Sequence, residues 1–188
     1  MRLDKLYKRN SNPELFFEEP GETNCGSFAL NVTEWYTPYI TDDGVDEDDE
    51  LYQYAEWERA NHAYELAQEG YTAEEIIEEL IEQDFEFILK TCPWLVPIQE
   101  DEINYDEDRV IAYRLSLEVP DEVSDFDMDD NGDFHFRLLK DGEWWEKNGA
   151  GPVHKVEEDE SDVWNVDDWL VYSGPIKYAK FKKEKTVC

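Results

Sequence analysis

Two side chains of this sequence are suited to act together chemically: the thiol of Cys25 and the imidazole of His135. A thiol attacks as thiolate, so it needs a base to take its proton or a positive field to hold its charge. In Asn24-Cys25-Gly26-Ser27-Phe28-Ala29-Leu30, Asn24 is a helix N-cap and Phe28, Ala29 and Leu30 supply an apolar face. Cys25 then falls in the first helical turn, where free N–H groups and the dipole favour a thiolate. In Phe134-His135-Phe136-Arg137-Leu138, polar and apolar residues alternate as in a strand. If both phenylalanines face the core, His135 faces the opposite side, toward a cleft. A third polar group is then required to orient the ring.

The remaining chemical groups are weaker. Asp127-Met128-Asp129-Asp130-Asn131-Gly132 begins like a calcium loop, but Leu138 stands where the closing Glu belongs, so a hairpin turn is expected. His62 reads as a helix-surface residue, and His154 lies in an irregular stretch. Cys92, before Pro93-Trp94, reads as a buried helix end. The three cysteines have no metal-site or CxxC spacing, so neither a disulfide framework nor a metal or cofactor is expected.

Helices come first, then strands. The stretch 42–50 is an acidic loop, and 51–90 carries helix signals, with Thr72-Ala73-Glu74-Glu75 opening the second helix. Val110–Leu115, Phe134–Leu138 and Glu143–Lys147 read as strands, with Asp141-Gly142 as the turn between the last two. Another apolar segment spans Val163–Tyr172, and the tail from Lys177 to Cys188, with five lysines, is expected to be loose at its end. This order predicts an α+β fold in one domain over 1–188.

The stretch Asn24–Leu30 resembles the NC-x-x-[YF]-A-L motif of a papain-like cysteine peptidase and amidase group of bacteria and phages. Asp133-Phe134-His135-Phe136 is similar to that group's D-[YF]-H-[FW] strand. Asp141-Gly142, Trp144, Lys147 and Gly149 are similar to its turn and W-x-x-K-x-G block. The resemblance covers 24–36 and 110–150. It implies a papain-like fold, a nucleophile helix packed on an antiparallel sheet, with 42–105 as an acidic loop and helical insertion. It implies amide hydrolysis through a thioester, with Cys25 as nucleophile and His135 as base. The group's third residue lies on the strand after the W-x-x-K-x-G block. Asn165 is nearest to that place, with Asp162 and Asp167 as rivals. Cys25's own N–H would serve the oxyanion hole, with Asn24, Thr23 or Asn12 as the side-chain donor. The group also implies a phage or mobile-element origin and a host or defence protein as substrate.

The formal net charge is −32 over 188 residues. Such a field repels nucleic acid and favours a basic protein or peptide as substrate. It also opposes thiolate formation. No apolar run is long enough for a membrane span, and the charged start MRLDKLYKRN predicts no signal peptide, so a bacterial or infected-host cytoplasm is expected. The competing expectation is a non-enzymatic acidic binder, a DNA mimic or inhibitor occupying a basic groove, with carboxylates in regular rows on one face.

Overall fold

The computed structural model describes residues 7–11, 16, 23–38, 51–116, 133–149, 151–156 and 174–183, with side chains of 51–58 and 116 excepted. It is α+β with an antiparallel sheet, as the element order predicts. The helices are α1 (Cys25–Leu30), α2 (Leu51–Glu69) and α3 (Ala73–Thr91). The strands are β1 (Leu95–Ile98), β2 (Val110–Ser116), β3 (Asp133–Lys140), β4 (Glu143–Lys147), β5 (Val153–Lys155) and β6 (Lys177–Phe181). Among the described residues they form one sheet of order β1-β6-β2-β3-β4-β5, every pair antiparallel.

Both caps expected from sequence form. Asn24 Oδ1 accepts from the Ser27 N–H at 3.0 Å while Ser27 Oγ accepts from the Asn24 N–H at 3.3 Å. Thr72 and Glu75 make the same reciprocal pair at the start of α3. Between α2 and α3, Gly70 takes φ +91°, and Tyr71 N–H reaches back to Leu66 O, a helix stop that a left-handed residue closes. Asp141 and Gly142 take φ 55° and 79°, which gives the tight β3–β4 turn its twist.

One face of the sheet builds the main core. Ile111, Tyr113, Leu115, Phe134, Phe136 and Leu138 meet Phe28 and Leu30 of α1 and Ile76, Leu80, Ile81 and Ile88 of α3. Within 42–105, α2 and α3 supply part of this core and β1 the edge strand, while residues 42–50 lie outside the described residues. The opposite face carries a smaller cluster, Val110, Ala112, Leu139 and Tyr178, flanked by Trp144. Trp145 packs on the main core, so the two adjacent tryptophans face opposite sides as their parity requires.

The lysine-rich tail, expected loose at its end, begins as a strand, and residues 184–188 lie outside the described residues. Lys177–Phe181 is β6, paired with both β1 and β2. Ala179 enters the main core and Tyr178 the smaller one, while Lys177 pairs with Glu82 and Lys180 with Asp108.

Candidate functional site

Cys25 is the first residue of α1 and is 6% exposed. Gly26 seats that helix against Tyr36 and Phe136. A Cβ there would stand 2.9 Å from Tyr36 Cδ1 and 3.3 Å from Phe136 Cε2. Gly26→Ala is therefore expected to cost about 1–3 kcal/mol by overpacking, read as a shift in the urea unfolding midpoint.

The Cys25 sulfur lies 3.9 Å from the carbonyl oxygen of Phe134 and faces the N–H of Phe136, the main chain on either side of His135. Burial pushes the thiol up from 9.0 to about 12. The N–H groups of Phe136, Gly26 and Cys25 pull the other way, and nearby Asp133 adds to the rise. The lowering expected from the helix end is not realised. A helix terminus supplies about 0.3–1 kcal/mol, under one pK unit, whereas full burial shifts a group by up to about 3–5 units. The resting group is a neutral thiol.

His135 sits on β3 with its side chain on the face away from Phe134 and Phe136, as expected, but it is only 5% exposed. Its Nε2 lies 3.4 Å from Glu146 Oε2, an electrostatic contact longer than a good hydrogen bond. Burial holds the imidazole below its usual 6.5, against the pull of Glu146, so the ring is neutral at neutral pH.

Glu146 gathers the polar groups of this face. Arg137 Nε and Nη2 both donate to Oε2 at 2.7 Å, and His154 Nε2 is 2.9 Å from Oε1. Burial would raise the carboxyl. The bond with His135 and the charge of Arg137 outweigh it and hold Glu146 at about 2. Sequence reasoning missed Glu146 as the ring's partner, although a signal existed. A two-residue Asp141-Gly142 turn pairs Lys140 with Glu143 and hence Arg137 with Glu146, on the face of His135. The expected third residue, Asn165, lies outside the described residues, as do its rivals Asp162 and Asp167 and the calcium-like run 127–132.

Of the candidate oxyanion donors, Asn24 is committed. Its Nδ2 donates to Tyr36 O at 2.6 Å, and its oxygen accepts from Ser27 and Tyr36. Asn12 lies outside the described residues. Thr23 Oγ1 is buried with no hydrogen-bond partner among the described residues, which makes it the donor still available. Among those residues no group of His, Cys, Asp and Glu is arranged to hold a metal ion, and no helix is long and apolar enough to cross a membrane.

No protein-family model, curated protein or solved structure matches the chain. What fold and site define is therefore a class: an α+β protein in which a helix-start cysteine of the main core abuts the main chain of β3, whose other face carries His135 buried against Glu146 of β4.

Proposed function

We propose that the chain is a cysteine hydrolase of the papain-like type, cleaving an amide bond in a protein or peptide through a thioester at Cys25. The observation that carries this reading is the placement of the Cys25 sulfur against the main chain flanking His135, whose ring is backed by Glu146. A neutral thiol and a neutral imidazole favour general-base activation over a preformed ion pair. The step needs the His135 ring to reach the sulfur past the edge of β3; the ring then takes the thiol proton as sulfur adds to the carbonyl carbon. The oxyanion is held by the Cys25 N–H and the Thr23 hydroxyl. Collapse breaks the C–N bond, the amine leaves with the proton from His135, and the acyl group stays on sulfur. Water then gives its proton to His135, attacks the thioester and releases the acid, restoring the thiol. Glu146 stabilises the imidazolium at each proton transfer; Asn165 is kept as a further orienting residue. The acidic surface fits a basic substrate, with a host or defence protein as the extension that the motif resemblance suggests.

A peptidyl acyloxymethyl ketone carrying a basic residue tests the reading. Mass mapping is expected to find the adduct on Cys25, with His135→Ala slowing labelling by about 10²–10⁴-fold. Labelling should rise with pH as His135 loses its proton, below the usual 6.5, and level off well before ordinary thiols ionise. Labelling of Cys25 no faster than that of Cys92, or unchanged in His135→Ala, would overturn the hydrolase reading.

The acidic-binder reading draws on α3. Glu75, Glu79, Glu82 and Glu86 form an exposed row at helical spacing, with Glu74 and Glu78 beside it. A binder working through this face loses a basic partner steeply with salt and on Glu75→Lys with Glu79→Lys, without any dependence on Cys25.

A further inference from the structure

Lys147 closes β4, and its side chain is fully buried. Three cations are buried among the described residues, and two have carboxylate partners: Arg59 with Asp84 and Arg137 with Glu146. Lys147 has none there. Its Nζ donates to two main-chain carbonyls, Gly149 O at 2.6 Å and Gly151 O at 2.8 Å. An ammonium carries three donors, so these bonds leave one over. A buried cation held only by dipoles is costly and gains most from a nearby anion.

The fold supplies a candidate anion. The β3–β4 register sets Arg137 opposite Glu146, so the next step along the ladder sets Lys147 beside Phe136. Lys147 has the parity of Trp145, which packs on the main core, the face on which α1 lies. Phe136 and Phe134 are the residues whose main chain the Cys25 sulfur touches. Burial lowers Lys147 from its usual 10.5, and the charge of Cys25 acts against that lowering.

We infer that Lys147 is a positioning residue for Cys25: its buried ammonium is the counter-ion the sulfur takes on when it gives up its proton. This rests on the hydrolase reading for its use but not for its measurement. It also explains how a thiolate can form inside a protein of net charge −32, since the opposing charge lies at the site. The bonds to Gly149 and Gly151 hold the ammonium in place and fix the turn leading into β5. The other titratable groups that interact with the sulfur are Asp133 on β3 and Tyr113 on β2. Asp84 on α3 is engaged by Arg59 of α2 and by Tyr113, and α1 itself carries no charge.

The test is the alkylation rate of Cys25 at a fixed, near-neutral pH, where Lys147 carries its proton, with mass mapping to separate Cys25 from Cys92 and Cys188. Lys147→Met should slow that alkylation about tenfold, because the small thiolate fraction loses its counter-ion. Lys147→Arg should keep the rate near the original value, which a purely packing role would not do. If Lys147→Met does not fold, the reciprocal measurement decides. Cys25→Asp, which sets a carboxylate in place of the sulfur, should raise the Lys147 pKa by one unit or more, read by NMR of isotope-labelled lysine in a folded protein. A Cys25 alkylation rate unchanged in folded Lys147→Met, or an unchanged Lys147 titration in folded Cys25→Asp, overturns the inference. Neither readout needs a substrate, so intact coupling without hydrolysis would sink the hydrolase reading alone.

Discussion

Glu146→Gln is expected to lower the unfolding free energy by about 3–5 kcal/mol at neutral pH, because it leaves the buried Arg137 guanidinium without its carboxylate. For a chain of this length that is a fall in Tm of roughly 10 °C. The sign of the pH dependence follows from the direction of the shift. Glu146 is held at about 2 in the folded protein against 4.5 for a free glutamate. A lowered carboxyl contributes stability that is complete above the unfolded value and is lost as pH falls toward the folded one. The window therefore runs from about pH 4.5 down to 2, and the shift corresponds to about 3 kcal/mol. Urea unfolding at neutral pH and at about pH 3 should show a large loss in the original protein and a smaller one in Glu146→Gln. Equal losses would mean that Glu146 is not the group that titrates. The same substitution should slow Cys25 labelling by the ketone probe, since the imidazolium loses its stabilising charge.

Asp84→Ala is expected to be at least as damaging, at about 3–5 kcal/mol or more. Asp84 is fully buried in α3. Its Oδ2 is 3.2 Å from Arg59 Nη2 of α2 and accepts a short bond from the Tyr113 hydroxyl of β2. One carboxylate thus ties two helices to the sheet, and removing it takes away the partner of a buried guanidinium and of a buried hydroxyl. The cost comes from stranding polar groups more than from lost volume, and this is testable. Arg59→Met and Tyr113→Phe with Asp84→Leu should recover most of the loss, because apolar groups of similar size need no partners. If the triple variant unfolds as easily as Asp84→Ala, shape rather than charge is what matters there. Asp84 and Glu146 also differ in direction. Burial raises Asp84 despite Arg59, whereas Glu146 is lowered because Arg137 and two imidazoles surround it.

Much of the local structure could be read from the chain. Asn24 and Ser27, and Thr72 and Glu75, close their boxes through residues three apart, so the sequence contains both halves of each device. Asp141-Gly142 names its own turn type, and the parity of Phe134, His135 and Phe136 fixes which side of β3 the ring takes. Even the Arg137–Glu146 pairing was there to be counted from that turn.

Other features depended on partners distant in sequence. Lys177–Phe181 enters the sheet because β1 and β2 leave a slot between them, which no local pattern can announce. The protonation of Cys25 was misjudged because a helix start is visible in sequence and burial is not. Desolvation by the packed core outweighs the dipole that the cap predicts. The full burial of Lys147 at the end of β4 likewise depends on long-range packing. The sequence by itself determined the caps, the turn and the faces, since these depend on neighbours a few residues apart. Tertiary structure alone decided strand order, burial and the charge state of each site group, because those depend on which distant segments exclude water.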